Sequence, residues 1–271
     1  MKRHLISILA SAAVAVAGCN ETNETNETNA GGGCGTIRIA CRTDLSIDAE
    51  AKASPKATRT EITAPDGSEF ALRITGADFD RSWESVAAFE AEENVFAEGP
   101  YKIAVEHGDP ETEGPDKPYF SGSTDIDVAA RRVNTAQVTA HVAKSQTFVR
   151  ITEAFAKFYH DAEFTVTTGS GNEFTFRPDG TGDPERIWVK TGTTLTVSGT
   201  ARSQSQDGEK EGPLYTFPAE TLDVTVAATC HIFTFDASNA GSASLNIVLG
   251  EGEGETRVIP VELNEEAIPS K

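Results

Sequence analysis

Two acidic loops are the parts of this sequence whose side chains could bind a metal ion. Residues 108–116 read GDPETEGPD and residues 177–185 read RPDGTGDPE, so each gathers several carboxylates within a short stretch. Calcium takes about six to eight oxygen ligands, mostly from carboxylates and carbonyl groups. Neither loop has the spacing of an EF-hand, and loops are usually polar in any case. We therefore expect solvated turns, and we predict no metal site and no cofactor.

Patterns of catalytic or zinc-binding residues are absent from the sequence. The histidines stand far apart, and none pairs with a cysteine at the spacing of a zinc site. There is no Gly-x-Ser-x-Gly elbow and no phosphate-binding glycine loop. Four aromatic residues could stack on sugars but are expected to fill the interior or its corners: Trp83, Trp188, Tyr119 and Tyr215. We predict that the protein is not an enzyme, and we assign no catalytic residue.

The amino terminus has the layout of an export signal. Basic residues precede an apolar stretch, residues 5–16, that is shorter than the roughly 20 residues needed to span a bilayer. Residues 16–19, Val-Ala-Gly-Cys, resemble the lipobox of bacterial lipoproteins. The resemblance implies cleavage before Cys19 and attachment of diacylglycerol to its sulfur, with acyl chains such as palmitate. Several acyl chains make a stable anchor. We predict a signal peptide over residues 1–18 and lipid attachment at Cys19; ordinary secretion is the alternative.

Residues 19–34 are predicted to form a disordered tether. They repeat Asn-Glu-Thr three times and end in glycines, so they lack the apolar surface that folding requires. The glutamates at 21, 24 and 27 resemble the signal that sends lipoproteins of Bacteroidetes-type bacteria to the outer face of the cell. We therefore expect a protein anchored by lipid in the outer membrane and facing the cell exterior.

The charge of the chain limits its partners. It has 42 acidic and 23 basic residues, a net charge of −19. Such acidity argues against binding nucleic acid, which needs concentrated Lys and Arg. It also disfavours adsorption to anionic lipid. We expect contact with the membrane through the lipid on Cys19, and other surface proteins or glycans as further partners.

Beyond Gly35 the hydrophobic pattern predicts β-strands. Apolar residues alternate in TIRIAC (36–41), YKIAVEH (101–107) and SLNIVL (244–249), with turn residues between such runs. In TIRIAC, Cys41 shares a face with two isoleucines, which favours a buried free thiol; a disulfide from Cys230 to Cys34 or Cys41 stays open. SWESVAAFEAEE (82–93) has helical spacing and predicts one short helix capped by Ser82.

An internal similarity predicts two tandem domains. Residues 98–142 and 190–235 share an order of elements: a strand, a charged loop, an aromatic bend and two further strands. The comparison equates Tyr119 with Tyr215 and Val128 with Val224. We predict an all-β fold of two tandem antiparallel β-sandwiches of the Greek-key, transthyretin/fimbrillin-like kind. Their limits are set at residues 35–143 and 144–271.

Several segments resemble one family of surface lipoproteins. GTIRIACRTD (35–44), GPYKIAVEHG (99–108) and the stretch from KPYFSG to VRITEAF (117–155) look like a family known only as domain of unknown function 4493. The resemblance covers roughly residues 35–200 and is strongest around Pro118-Tyr119-Phe120. No catalytic residue is assigned to that family, so none is carried over.

The family's general plan is also distantly similar to the fimbrillins, the subunits of surface pili. In fimbrillins a trypsin-like protease cuts after an arginine in the loop that follows the first strand, and the next subunit fills the vacated groove by strand addition. The resemblance implies that Arg59 is the processing site here. This sequence departs from the fimbrillin pattern at its carboxyl end. The segment that would have to act as the donor strand, TRVIPVELNEEAIPSK, is interrupted by Pro260.

We predict a non-enzymatic, lipid-anchored surface lipoprotein with a structural or adhesive role, as an accessory or subunit of fimbria-like assemblies. The alternative is a glycan- or ligand-binding lipoprotein of a nutrient-uptake system, which an exposed aromatic platform would favour. Fold alone does not separate the two, because β-sandwiches host both kinds of function.

Overall fold

A computed structural model describes residues 33–49, 62–180, 185–204, 212–239, 242–248, 255–259 and 262–263. Eighteen β-strands and two short α-helices make up this part of the chain. The predicted all-β class is confirmed. Three sheets are present, of seven, five and six strands.

The first half of the chain forms the seven-stranded sheet. Its elements are β1 (Cys34–Asp44), β3 (Ala71–Gly76), β4 (Phe79–Trp83), α1 (Val86–Glu90), β5 (Val95–Ala97), β6 (Gly99–His107), β7 (Phe120–Val128) and β8 (Val133–Val142). The strand order across the sheet is β4-β3-β6-β7-β8-β1-β5. The short strand β2 (Asp48–Ala49) lies outside this sheet and pairs with the second half.

β7 and β8 are paired over a short stretch only, where Phe120 lies opposite Val142 and Ser121 opposite His141. Next to this pair the strands approach so closely that a Cβ on Gly122 would lie 2.2 Å from the Thr139 carbonyl oxygen, a contact that only glycine permits. Side chains from the strands on both sides of this junction fill one core, which is the packing of a sandwich.

The second half forms the other two sheets. Its elements are β9 (Ser145–Ile151), α2 (Glu153–Phe158), β10 (Tyr159–Thr168), β11 (Glu173–Phe176), β12 (Ile187–Val189), β13 (Leu195–Ser203), β14 (Leu214–Leu222), β15 (Thr229–Asn239), β16 (Ser242–Val248), β17 (Glu255–Ile259) and β18 (Glu262–Leu263). One sheet has the order β11-β10-β13-β14-β18, and the other runs β12-β9-β15-β16-β17 with β2 against β15.

The two halves share part of their strand order. β3, β6 and β7 are consecutive neighbours in the first half, as β10, β13 and β14 are in the second. Within the first half Val128 lies opposite Gly99 at the start of β6, and within the second half Leu222 lies opposite Leu195 at the start of β13. An irregularity between Val197 and Gly199 shifts the register of β14 against β13. The equivalences of Tyr119 with Tyr215 and of Val128 with Val224 stay predictions.

Two of the three sheets add parallel strand pairs to the predicted antiparallel pairing. β1 runs parallel to β8 in the first half, and β9 runs parallel to β15 in the second. In each half the first strand thus lies beside a strand that comes much later in the chain. Parallel neighbours need a long crossover connection, and here the rest of each half serves as that connection.

Two helices are present where one was predicted. α1 begins after Ser85, whose Oγ accepts the Ala88 N–H at 3.0 Å, so Ser85 and not Ser82 is the N-cap. Ser82 lies in β4 instead. The second helix, α2, begins after Thr152, whose Oγ1 accepts the Phe155 N–H at 3.0 Å. No helix in the described residues is long and apolar enough to cross a membrane.

Two hydrophobic cores lie beneath these sheets. One is built from residues of the first half together with Trp188, and the other from residues of the second half. Ile47 packs against both cores, so the segment after β1 reaches from one half to the other. The domain limits predicted above stay a prediction.

Candidate functional site: the first strand and its surroundings

β1, the first described strand, lies between β8 and the short edge strand β5 in the seven-stranded sheet. It pairs with β8 from Thr36, opposite Val133, to Asp44, opposite His141. On its other side it pairs with β5 only, over Cys34 to Thr36. Most of the backbone hydrogen bonds of β1 therefore go to a single neighbour, β8.

The inner face of β1 belongs to the first core. Ile37 is 5 % exposed and Ile39 is 7 % exposed, and Cys41 packs against the same core while remaining partly buried. This is the alternation that the sequence predicts. Full burial of one isoleucine side chain stabilises a fold by about 1.5–3 kcal/mol, so β1 contributes to stability mainly through these residues. Without β1, the core would be open to solvent along a groove of matching length.

The chain leaves β1 through a compact turn. The Asp44 carboxylate accepts the Ser46 N–H at 2.9 Å and the Ser46 hydroxyl at 2.6 Å. Hydrogen bonds from Ser46, with a smaller contribution from His141 at 3.3 Å, lower the pKa of Asp44. The chain then pairs with the second half, where Ala49 lies opposite Cys230. β1 and β2 thus form a single ribbon that touches both halves.

The two residues predicted for lipid attachment and processing, Cys19 and Arg59, lie outside the described residues, as does Pro260. Both predictions remain open. The described chain ends at Ala49 and resumes at Ile62, so Arg59 falls between β2 and β3, in the connection that follows the first strand.

The acidic loop 108–116 is largely exposed, as predicted for a solvated turn, but it is also fixed to the rest of the protein by specific contacts. It lies across the second half and is held there by Lys144, a residue that sequence reasoning missed. Lys144 is 2 % exposed, and its ammonium donates to the carbonyl oxygens of Asp109 (2.6 Å), Lys117 (3.1 Å) and Thr112. Desolvation lowers the pKa of Lys144, while the charges of Asp109 and Glu113 oppose that shift. The sequence feature that could have indicated this role is a single lysine between two apolar strands.

The carboxylate of Glu113 fixes the same loop to the second half. It accepts hydrogen bonds from the Thr168 hydroxyl and the Asn172 amide, both at 2.7 Å, and from the Lys190 N–H at 3.0 Å. The next residue, Gly114, exchanges two backbone hydrogen bonds of 2.9 Å with Trp188. We call residues 108–118 the strap. The carboxylates of Asp109, Glu111 and Glu113 are engaged by protein donors, which is a structural role.

The second acidic loop is described only in part, because residues 181–184 lie outside the described residues. Arg177 at its beginning pairs with Glu163 at 2.6 Å. Among the described residues, no group of three or more histidine, cysteine, aspartate or glutamate side chains is placed to hold a metal ion.

The cysteines and histidines are dispersed through the fold. Cys41 and Cys230 are free thiols, so the bridges considered between Cys230 and either Cys34 or Cys41 are not formed. Burial raises the pKa of Cys230 to about 11, which leaves its thiol unreactive at neutral pH. His231 is buried beside it in sequence, and its Nε2 accepts the Val226 N–H at 3.1 Å.

The aromatic residues that could stack on sugars are largely inside the protein. Trp83 is 7 % and Trp188 is 5 % exposed, and both belong to the first core, as predicted. Tyr119 donates its hydroxyl to Glu106 at 2.9 Å, and burial, together with this contact, raises the pKa of Tyr119 to about 12. Tyr215 packs against the second core. These four side chains therefore form no exposed platform.

The chain belongs to the family described as domain of unknown function 4493 (DUF4493). The family profile matches residues 33–265, which is longer than the stretch suggested by the sequence motifs and extends through the second half. A search of curated proteins gave no match.

Several solved structures are similar to this chain at low sequence identity. A fimbrial assembly protein from Parabacteroides distasonis has 6 % identity and a TM-score of 0.41, covering 83 % of this chain and 97 % of its own. A candidate polysaccharide-binding protein (DUF1812) from Bacteroides thetaiotaomicron has 8 % identity and a TM-score of 0.41, covering 87 % and 99 %. A candidate cell adhesion protein from Bacteroides eggerthii has 6 % identity and a TM-score of 0.39, covering 89 % and 97 %. At these values the likeness carries no conclusion about function.

Proposed function

We propose that this protein is a non-enzymatic surface lipoprotein, anchored through Cys19, that serves as an accessory or subunit of fimbria-like assemblies. The observation that carries the proposal is the arrangement of β1. It is the first described strand, its inner side chains pack in the first core, and the connection that follows it contains Arg59.

Cleavage after Arg59 would separate β1 and β2 from the rest of the chain. The first core would then lose two buried isoleucines, and β8 would lose the backbone partner that runs along it. An exposed apolar groove beside an unpaired strand edge is a ready acceptor for a strand from another chain. Proteolysis would in this way convert a closed monomer into a subunit that can accept a partner.

The assembly part of the proposal is tested by protein made in a Bacteroides-type host that has the surface protease. Wild-type protein is expected to give a ladder of polymers on unheated denaturing gels, and Arg59→Ala is expected to give monomers only. Lys56→Ala is the matched control, since it removes a neighbouring trypsin-like site and should leave the ladder unchanged. A ladder that persists in Arg59→Ala would contradict processing at this residue.

The anchoring part needs its own test. Cells grown with alkyne-tagged palmitate should label the wild-type protein, and Cys19→Ser should abolish labelling and release the protein into the medium. Protease added to intact cells should digest the wild-type protein if it faces the exterior. Labelling that survives Cys19→Ser would exclude this anchor.

A further inference from the structure

Four arginines in the first half have exposed side chains without any partner. Three other exposed arginines form ion pairs with carboxylates at 2.6–2.8 Å, namely Arg73, Arg81 and Arg177. By contrast, no hydrogen bond, ion pair or ring contact engages the side chains of four others in the described part of the chain: Arg38, Arg42, Arg131 and Arg132. Unpaired guanidinium groups are notable in a chain with a net charge of −19.

Two of the four lie on β1 and two lie in the turn beside the beginning of β1; we call the four together the basic strip. Arg38 and Arg42 are on the outward face of β1, opposite Thr135 and Thr139 of β8. They are about 13 Å apart at the usual rise of a strand. Arg131 and Arg132 lie in the turn that leads into β8, and the Arg131 N–H donates to the Cys34 carbonyl oxygen at 2.7 Å. The strip therefore begins where β1 begins.

Exposed apolar side chains border the same end. Val133 is 63 % exposed and Val95 is 54 % exposed, and both are paired with Thr36, one on each side of β1. They are two of the four large hydrophobic residues that are exposed among the described residues. Arginines beside exposed valines match the composition of a surface that rests in the headgroup region of a bilayer.

The chain reaches this end directly from the predicted anchor. Residues 20–33 separate Cys19 from Cys34, the first residue of β1. A segment of that length spans at most about 50 Å when fully extended. We propose that the basic strip, with Val95 and Val133, docks on the anionic lipid surface that holds the anchor. The proposal rests on the proposed lipid attachment at Cys19, which keeps the strip near the bilayer.

The net charge of the protein does not oppose this contact, in contrast to the expectation from composition alone. At physiological ionic strength charges are screened beyond about 8 Å, so only the face nearest the lipid matters. Three glutamates lie near this end. Glu98 lies beside Gly33, and Glu90 and Glu92 line a surface pocket together with Arg38 and Val133. Glu92 is already paired with Arg81.

Nucleic acid and acidic polysaccharide are the other polyanions that such a strip could meet. The outward residues of β1 and β8 include no phenylalanine, tyrosine or tryptophan, and the outward His141 lies at the far end of β8 beside Asp44, so the strip has no row of aromatic side chains on which successive bases could stack. The exposed valines have no role in binding a hydrophilic polysaccharide, whereas a lipid surface explains both valines and arginines. Both alternatives are outcomes of the following test.

The test uses the mature chain, residues 20–271, held through an amino-terminal histidine tag on vesicles that contain a nickel-chelating lipid. Vesicles of phosphatidylcholine with one third phosphatidylglycerol are compared with vesicles of phosphatidylcholine alone. Arginine labelling by phenylglyoxal is read residue by residue by mass spectrometry. On the anionic vesicles we expect labelling of the four strip arginines to fall about fivefold or more relative to Arg177, and to recover in high salt.

Matched variants separate docking from general effects. Val95→Ser with Val133→Ser should weaken the protection, whereas Val224→Ser with Val226→Ser, which alters two similarly exposed valines, should not. Equal labelling on both kinds of vesicle would overturn the proposal. So would protection by a soluble acidic polysaccharide or by duplex DNA in the absence of vesicles. Because the tag replaces the lipid, failure here leaves the proposed anchoring at Cys19 untouched.

Discussion

At the scale of single residues, Lys144 shows how one buried charge can organise a loop. Its ammonium is fully desolvated and satisfied by three carbonyl oxygens of the strap. A buried charge is tolerated only with such partners, because an unpaired one costs several kcal/mol. The strap adopts its position across the second half because Lys144 and Glu113 are both placed to hold it.

Replacement of Lys144 by methionine should leave three carbonyl oxygens without a donor. We expect Lys144→Met to lower the free energy of unfolding by about 2–4 kcal/mol, measured by urea denaturation. Lys157→Met is the control, since Lys157 is exposed on α2 and should change stability by less than about 0.5 kcal/mol. Equal effects of the two substitutions would show that the carbonyl contacts do not matter.

His231 predicts a specific dependence of stability on pH. Burial lowers its pKa to about 4, below the usual value of about 6.5. The unfolded chain therefore takes up this proton at higher pH than the folded chain. The contribution of His231 to stability is complete above about pH 6.5 and is lost as the pH falls from there towards 4. The difference corresponds to about 3 kcal/mol.

His231→Gln removes this titration while keeping an acceptor for the Val226 N–H. We expect the loss of stability between pH 7 and pH 4 to be smaller in the variant by about 3 kcal/mol, from urea denaturation at each pH. The many carboxylates titrate in both proteins, so the comparison isolates the histidine. Parallel pH profiles for the two proteins would contradict this assignment.

At the scale of elements, β1 carries an inner and an outer face of opposite character. Ile39→Ala should lower the free energy of unfolding by about 2–4 kcal/mol, because it leaves a cavity in the first core. Arg38→Ala, one residue away on the outer face, should change it by less than about 0.5 kcal/mol. Thermal or urea denaturation measures both. A small effect of Ile39→Ala would mean that β1 is not a strand of the core.

The beginning of α1 is a second element-level test. The Oγ of Ser85 accepts the Ala88 N–H, so Ser85→Ala should cost about 1 kcal/mol of stability. Ser82→Ala should have little effect, because Ser82 is exposed in β4. Comparable losses of stability in the two variants would contradict the assignment of Ser85, rather than Ser82, as the N-cap.

These elements show what sequence patterns reveal and what they do not. Alternation is a local property, so the strands around Ile37, Ile103 and Leu245 could be predicted from it. The parallel pairing of β1 with β8 and the register shift at Val197 depend on distant partners, which local patterns do not contain. The contacts of the strap could not be predicted for the same reason. Only the fold brings Thr168 to the Glu113 carboxylate and Lys144 to the Asp109 carbonyl oxygen.

At the scale of the whole molecule, two similar halves are tied together by three connections. The strap crosses from the first half to the second, Trp188 enters the core of the first half, and β2 joins the second half. Of these, only β2 lies on the amino-terminal side of Arg59. Loss of β1 and β2 would thus open the first core while the strap and Trp188 still join the halves. Such a molecule would be suited to accept a partner strand without falling apart.

The most direct test of this account is the amino-terminal residue of protein recovered from its native cells, determined separately for monomers and for assembled material. We predict a lipidated Cys19 on monomers and Thr60 in the assembled material, because cleavage after Arg59 would release β1 and open the groove. Assembled material that still begins at Cys19, or a protein found only as a lipidated monomer, would contradict the central claim.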